Sequence, residues 1–225
     1  MITFDNVTKK FPVGTTGLNG VSFEINTNEF IYLVGPSGAG KTTILKLLLR
    51  EYRPTSGSII VDETDIASKR FNNIPGLRKK IGVVFQDFKI LESKNIFENI
   101  AISLKILGMN SHQIKKEVME TLALVNLKDK ELLFPAQLSA GELQRVAIAR
   151  AIAGSRDIIL ADEPTGNLDP KTTWEIMKIF KKLEERKTII FATHNTDIVN
   201  SMKRRVIALK EGKIVKDDRK GGYDI

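Results

Sequence analysis

Several things that the sequence lacks limit the classes of protein to be considered. None of its 225 residues is cysteine, which excludes disulfide bridges and cysteine-ligated metals and indicates a reducing compartment. No apolar run approaches the length of about 18 residues that a membrane-spanning helix needs. The first residues, Met1–Asp5, do not show the basic and then apolar pattern of a secretory signal. We therefore predict a soluble, cytosolic protein with one large or two small domains.

Acidic residues are outnumbered by basic ones. The sequence has 35 Lys and Arg residues against 27 Asp and Glu residues, a net charge of +8. A basic balance favours an anionic partner, which leaves a nucleotide, an anionic membrane surface and a nucleic acid open. The basic residues are spread along the chain, and no nucleic-acid-binding module is recognisable. We therefore expect a phosphate-bearing ligand and no direct nucleic-acid binding.

The segment Gly35–Thr42 fits the phosphate-binding pattern G-x-x-x-x-G-K-[ST], between a predicted strand over 30–34 and a predicted helix over 43–50. Gly38 and Gly40 permit positive φ, so that backbone N–H groups can surround phosphate oxygens. Lys41 supplies a point charge for the β- and γ-phosphates, and the Thr42 hydroxyl is a ligand for Mg²⁺. The residues expected to contact a nucleotide here are Gly35, Pro36, Ser37, Gly38, Ala39, Gly40, Lys41, Thr42 and Thr43.

Four polar residues stand at the ends of three further apolar segments of strand length. Because ligand sites lie at the carboxyl ends of parallel strands, these residues are candidates for a common site. They are Gln86 after residues 80–85, Asp162 and Glu163 after residues 157–161, and His194 after residues 188–193.

Each of these four residues has a chemical role to offer. Asp162 can hold Mg²⁺ through its water shell, and Glu163 can polarise or deprotonate an attacking water. Gln86 can contact Mg²⁺ or that water, or it can merely cap its strand. A neutral imidazole at His194 can donate to a γ-phosphate, although a lone histidine at a strand end is usually structural. Adjacent strand residues point in opposite directions, so Asp162 and Glu163 are expected to have different roles.

Residues 88–154 show apolar positions at helical spacing, which predicts helices inserted between strands. Near the end of this block, Ser139 and Gly141 precede a helix predicted over 143–153. This start is either an anion-binding helix N-terminus or a simple cap, with Glu142 three residues after Ser139. The residue chemistry alone favours the cap.

The first part of the chain predicts antiparallel β structure, because apolar and polar residues alternate at 2–4 and at 21–25. Phe11 lies between these two segments, after two lysines. Its ring is either a surface on which a purine base can stack or an aromatic of the core. The residues leave both interpretations open.

These segments together resemble the ATP-binding subunits of ABC (ATP-binding cassette) transporters over essentially the whole chain. GPSGAGKT is similar to the family's phosphate loop, LSAGE at 138–142 to its LSGGQ signature, and DIILADEP at 157–164 to its acidic strand. Gln86 corresponds to the strand-end glutamine, 167–169 to the D-loop and His194 to the switch histidine. The signature carries the most information, since few other ATPases have it.

The resemblance implies that two subunits form a homodimer on ATP binding and enclose two ATP molecules with Mg²⁺. Phe11 would stack on adenine, Glu163 would be the general base, and His194 would contact the γ-phosphate. Lys41 and Gln86 complete the implied catalytic set, and the implied metal ligands are Thr42, Gln86 and Asp162. The residues implied to act on the facing subunit's site are Ser139, Ala140, Gly141, Glu142 and Asp169.

The fold that the resemblance implies is an α/β P-loop ATPase of the ABC type, with a mixed, largely parallel core sheet. An antiparallel β subdomain would lie at the N-terminus, and residues 1–87 and 155–225 would contain it together with the RecA-like core. Residues 88–154 would form an inserted α-helical subdomain with the signature. Ala140 departs from the family pattern, since it replaces the first glycine of LSGGQ, and it would be costly if φ had to be positive there.

Within the family, strings such as VVFQDFKIL and LSAGELQRVAIARA look most like the FtsE subfamily of cell-division ATPases. That resemblance implies a peripheral protein on the cytoplasmic face of the plasma (inner) membrane, bound to an FtsX-like integral membrane partner and to other division proteins. ATP-driven motion would then act on cell-wall hydrolases outside the membrane. Lipoprotein-releasing and macrolide-export ATPases share most of these strings, so an exporter subunit stays open. A soluble ABC protein acting on nucleic acid or ribosomes is the more distant alternative.

Overall fold

The computed structural model describes residues 1–12 and 14–223. The chain divides into two compact units, one of Met1–Arg78 with Arg186–Ile225 and one of Lys79–Glu185. The predicted helical subdomain, residues 88–154, lies inside the second unit, and its boundaries stay a prediction. In the described ranges, no helix combines the length and the apolar character that crossing a bilayer requires.

Strands and helices alternate along most of the chain. The strands are β1 (Ile2–Lys10), β2 (Thr16–Ile25), β3 (Phe30–Val34), β4 (Ser56–Val61), β5 (Thr64–Asp65), β6 (Ile81–Phe85), β7 (Ile158–Asp162), β8 (Thr188–Ala192), β9 (Arg205–Lys210) and β10 (Lys213–Asp218). The α-helices are α1 (Lys41–Leu48), α2 (Ile74–Lys80), α3 (Ile96–Ile106), α4 (Ser111–Leu124), α5 (Ala140–Ile152), α6 (Pro170–Leu183) and α7 (Thr196–Met202). The elements β5, α2 and α7 were not predicted, since none exceeds 7 residues and none is an unbroken apolar run, so they show neither a clear period nor the pattern of a buried strand.

An antiparallel sheet in the first unit has the strand order β2-β1-β4-β5. Ile2 lies opposite Ile25, and Phe4 lies opposite Phe23. The rings of Phe4 and Phe23 stack with their centroids 4.6 Å apart, and all four side chains are buried. The predicted antiparallel β structure is therefore confirmed, and the two predicted segments are parts of longer strands.

A second sheet of the first unit is mixed. In it β3 pairs in parallel with β8 and with β9, and β10 pairs antiparallel with β9. Every residue of β3 and β8 is buried, which explains why both are unbroken apolar runs rather than alternating ones. Because β3 and β8 are parallel neighbours, their carboxyl ends lie at the same edge of the sheet.

The second unit contains a parallel strand pair and several helices. Strand β6 pairs with β7 so that Phe85 lies opposite Asp162. Helices α3, α4 and α5 pack on one another, and α5 also contacts β6. Ile100 of α3, Val118 of α4 and Ile148 of α5 are fully buried, so these helices present the core faces that their spacing predicted.

Candidate functional site

The phosphate loop joins β3 to α1. Gly38 has φ +78° and Gly40 has φ +112°, as predicted for a loop whose backbone surrounds an anion. Gly40 is the N-cap of α1, and a Cβ added to it would lie 2.7 Å from the carbonyl oxygen of Gly17. Helix α1 begins at Lys41 and not at the predicted residue 43. The glycines just before Lys41 have low helix propensity, so the sequence does not indicate the first turn of the helix.

Lys41 is held over this loop. Its ammonium group donates to the carbonyl oxygens of Gly35 at 2.6 Å and Pro36 at 3.0 Å, and the residue is 6% exposed. Thr42, the next residue of the first turn, is exposed. That turn contains no acidic side chain, so the partial positive charge of the helix N-terminus is not offset. The arrangement suits phosphate oxygens.

Phe11 lies beside the phosphate loop and is half-buried. A Cβ added to Gly17 would lie 2.7 Å from its ring and 3.2 Å from Thr43. The rings of Phe11 and Tyr52 meet edge to face with their centroids 5.4 Å apart, and the ammonium of Lys9 lies 5.3 Å from the centroid of the Phe11 ring. Stacking of Phe11 on adenine stays a prediction.

His194 lies just beyond the carboxyl end of β8, which ends at Ala192 and not at the predicted residue 193. Its side chain is exposed. Asn195 then caps α7 by accepting hydrogen bonds from the N–H groups of Asp197 and Ile198. Since β8 and β3 are parallel neighbours, His194 and the phosphate loop follow strands that end at one edge of the same sheet.

Gln86, Asp162 and Glu163 stand together at the ends of β6 and β7 in the second unit. The Nε2 of Gln86 donates to Oδ1 of Asn167 at 3.2 Å. Asp162 is the last residue of β7, and Glu163 has φ +48°. Strand alternation was therefore the wrong reason for giving the two acids different roles, because Glu163 is outside the strand in a left-handed conformation.

The signature segment forms the start of α5. Ser139 is its N-cap, and Glu142 closes a capping box, so the predicted cap is confirmed. The ion pair with Lys130, followed by the hydrogen bonds from Ser139, lowers the pKa of Glu142 from its usual value to about 2. The helix begins at Ala140, three residues before the predicted start, because the capping segment is itself helical. Contact of this helix start with ATP stays a prediction.

Gly141 permits a close approach between α5 and α6. A Cβ added to it would lie 2.5 Å from the methyl group of Thr172. Thr172 is held by Asp169, whose carboxylate accepts from its N–H at 3.0 Å and from its hydroxyl at 2.5 Å. These hydrogen bonds lower the pKa of Asp169. The capping role of Asp169 on α6 was not predicted, although an aspartate before Pro170 is a recognisable signal for it.

The contact that Arg150, near the end of α5, makes with the segment after Gln86 was not predicted from the sequence. Its guanidinium donates to the carbonyl oxygens of Phe88 at 3.0 Å and Lys89 at 2.7 Å, and burial lowers its pKa. Phe88 and Lys89 have φ of +57° and +51°. Sequence could not reveal this contact, since left-handed backbone at non-glycine residues leaves no clear pattern. The segment after Gln86 is therefore hydrogen-bonded to α5, the helix that begins in the signature segment.

Comparison with known proteins identifies this set of motifs. A sequence profile of the family described as ABC transporter matches residues 18–166. The cell division ATP-binding protein FtsE of Bacillus subtilis (strain 168) is 51% identical over 224 residues, which cover 99% of this chain and 98% of that protein. The chain belongs to the ABC transporter ATP-binding family.

Two further comparisons agree with this membership. FtsE of Streptococcus pneumoniae strain D39 is 47% identical over 227 residues, which cover 100% of this chain and 99% of that protein. A solved dimeric structure of MJ0796, a bacterial ABC transporter cassette, has a TM-score of 0.88 at 35% identity and covers 99% of this chain and 100% of that one. The predicted family and α/β fold are therefore confirmed for this chain, which is an ATPase of the ABC type.

Proposed function

We propose that this ABC ATPase binds and hydrolyses ATP in order to move a membrane partner during bacterial cell division. The observation that carries the proposal is the 51% identity to FtsE over 99% of the chain. It is supported by the phosphate loop, in which Lys41 lies against loop carbonyls and the helix start is free of acidic side chains.

In this proposal the nucleotide is held by local backbone and by point charges. Phosphate-loop N–H groups and Lys41 bind the phosphates, Thr43 donates to a phosphate oxygen, and Phe11 stacks on adenine. His194 donates to the γ-phosphate. Glu163 acts as general base towards the attacking water, and Gln86 orients that water and senses the metal.

The protein's donor set fits Mg²⁺. Thr42, Gln86 and Asp162 offer hydroxyl, amide and carboxylate oxygens, which are hard ligands. Among residues 1–12 and 14–223 there is no cluster of three or more acidic or histidine side chains suited to a metal. That agrees with Mg²⁺, which binds through one or two carboxylates, waters and substrate phosphates. When bound, Mg²⁺ would neutralise charge on the β- and γ-phosphates.

We further propose that the chain forms a homodimer when it binds ATP. The dimeric cassette with which it shares its fold supports this. Ser139, Gly141 and the start of α5 would then meet the nucleotide of the facing chain, together with Ala140 and Glu142. Asp169 would lie towards the same interface.

The proposed partner is an FtsX-like integral membrane protein, and the ATPase would lie at the cytoplasmic face of the plasma (inner) membrane. ATP would close the dimer and hydrolysis would open it, and the partner would transmit this motion to cell-wall hydrolases. Other division proteins would join the complex. An exporter subunit for lipoproteins or macrolides needs the same catalytic residues, so the partner decides between the two functions.

The test is affinity capture of the Glu163→Gln protein with ATP from detergent-solubilised native membranes, followed by mass spectrometry. We expect an FtsX-like protein together with division or wall-hydrolase factors, and ATPase activity that rises when this partner is added back. Recovery of a permease with lipoproteins or efflux components would favour an exporter. Recovery of ribosomal proteins or nucleic acid, with binding that falls steeply as salt rises, would overturn the membrane-partner proposal.

A further inference from the structure

The side chain of Gln144 on α5 connects the backbone beside two of the proposed active-site residues. Gln144 is fully buried, at 0% exposed. Its Nε2 donates to the carbonyl oxygen of Pro164 at 2.6 Å and, at the long limit of a hydrogen bond, to that of Phe85 at 3.5 Å. Pro164 directly follows Glu163, and Phe85 directly precedes Gln86. One amide group therefore bonds to the backbone next to both residues.

The turn after β7 that Gln144 supports is compact and strained. Glu163 has φ +48°, and its carbonyl oxygen accepts from the N–H of Gly166 at 3.1 Å. Gln86 lies against the same turn, since its Nε2 donates to Asn167. A left-handed backbone is energetically unfavourable for a non-glycine residue, so surrounding contacts must hold it in place. The hydrogen bond from Gln144 is one such contact.

Packing alone does not explain a glutamine at this position. The Oε1 of Gln144 is buried and has no hydrogen-bond partner among the described residues. A buried acceptor without a partner destabilises the folded state. Methionine has nearly the same volume and no such acceptor, although it would remove the donor to Pro164. These two contributions to the free energy of unfolding oppose each other, so their sum is small.

We propose that Gln144 is a positioning residue for ATP hydrolysis, which holds Glu163 and Gln86 at a fixed separation through their neighbouring backbone. The inference rests on the proposed role of Glu163 as general base. A general base must stay within hydrogen-bond reach of its water, and a displacement of about 1 Å can cost about 100-fold in rate. Because Gln144 is buried and bonds to backbone, its loss lowers kcat and leaves ATP affinity unchanged.

The experiment compares Gln144→Met with Ile148→Met, a control at a fully buried position of the same helix. For Gln144→Met we expect kcat to fall by about 10- to 100-fold, with KM and the ATP dissociation constant within about twofold. Its Tm should stay within about 3 °C of the parent, since the opposing contributions nearly cancel. Ile148→Met should lower Tm with kcat unchanged below the unfolding transition, because it alters packing only.

A parental kcat in Gln144→Met would overturn the proposal, and so would a loss of kcat no larger than the unfolded fraction explains. If that variant does not fold, Gln144→Asn applies the same test, since it keeps the amide and shortens its reach. Adding Gln144→Met to Glu163→Gln should cause no further loss, and a full additional loss would contradict action through Glu163. A Glu163→Gln protein with parental turnover would instead show that the proposed general base is wrong, which is a separate failure.

Discussion

Ser139 and Glu142 hold each other at the start of α5. The Ser139 hydroxyl accepts from the N–H of Glu142 at 3.4 Å, and the Glu142 carboxylate accepts from the N–H of Ser139 at 2.9 Å. Ala140 lies between them as the first helical residue and does not have positive φ. The alanine that departs from the family signature therefore causes no backbone strain, and we expect ATP hydrolysis to tolerate it.

The ion pair of Glu142 with Lys130 should make stability depend on pH. The folded pKa of Glu142, about 2, lies below its ordinary value of 4.5. Its contribution to stability is therefore present above pH 4.5 and is lost as pH falls towards 2. Glu142→Gln keeps the capping box and removes the ion pair, so we expect a loss of about 1 kcal/mol at pH 7.

Thermal unfolding of the parent and of Glu142→Gln at several pH values measures the contribution of the Glu142–Lys130 ion pair to stability. The difference in Tm should narrow below pH 4.5. A difference that stays constant down to pH 3 would show that the charge of Glu142 is not its source.

Lys41→Ala should weaken nucleotide binding without unfolding the chain. It removes a charge that lies within hydrogen-bond distance of the loop carbonyls, where phosphate oxygens are expected. Charge-assisted hydrogen bonds of about 1.5–3 kcal/mol correspond to about 10- to 100-fold in the ATP dissociation constant. Titration calorimetry measures the ATP dissociation constant. Lys69 is an exposed lysine of the same unit, and Lys69→Ala controls for the change in net charge. Equal affinity in the two variants would contradict the assignment.

Glu163→Gln should retain ATP binding and lose hydrolysis. The amide keeps the size of the side chain, but it cannot take a proton from water, and general bases contribute about 10²- to 10⁴-fold. Steady-state phosphate release gives kcat, and light scattering with ATP reports the accumulated dimer. Glu185→Gln, an exposed carboxylate of the same unit, should keep the parental rate. A monomeric Glu163→Gln protein at saturating ATP would argue against closure by ATP.

Arg205 should contribute strongly to the free energy of unfolding of the first unit. It is paired with Glu29 at 2.9 Å and with Asp217 at 2.7 Å, and its side chain is 14% exposed. The hydrogen bonds to Asp217 and then Glu29 raise its pKa, although burial opposes this. Removing one partner of a buried ion pair lowers the free energy of unfolding by about 3–5 kcal/mol. For Arg205→Met we expect a loss of about 3 kcal/mol, because Asp217 is partly exposed.

Urea unfolding measures this loss. Arg205→Lys keeps the charge but not the planar fork, so it should fall between the parent and Arg205→Met. Equal stability of all three proteins would show that the ion pairs contribute nothing.

The parts of the fold that could be predicted are those whose signal is local. Strands β3 and β8 were visible because both of their faces are buried, and the capping pair Ser139 and Glu142 was visible although the first helical residue was predicted three positions too late. The elements β5, α2 and α7 were missed, since they are too short to show a period and, unlike the equally short β3 and β8, are not unbroken apolar runs. The left-handed backbone of Glu163 also gave no signal, because nothing in a glutamate indicates positive φ.

By itself the sequence determined the family, the phosphate loop and the candidate residues at the strand ends. Each of these depends on a short run of neighbouring residues, whose spacing is the chemical requirement. Only the tertiary structure decided what holds these segments in place. Gln144 is bonded to Pro164 across 20 positions, and Arg205 to Glu29 across 176. Such partners are brought together by packing, and burial gives their hydrogen bonds their strength, so no local pattern records them.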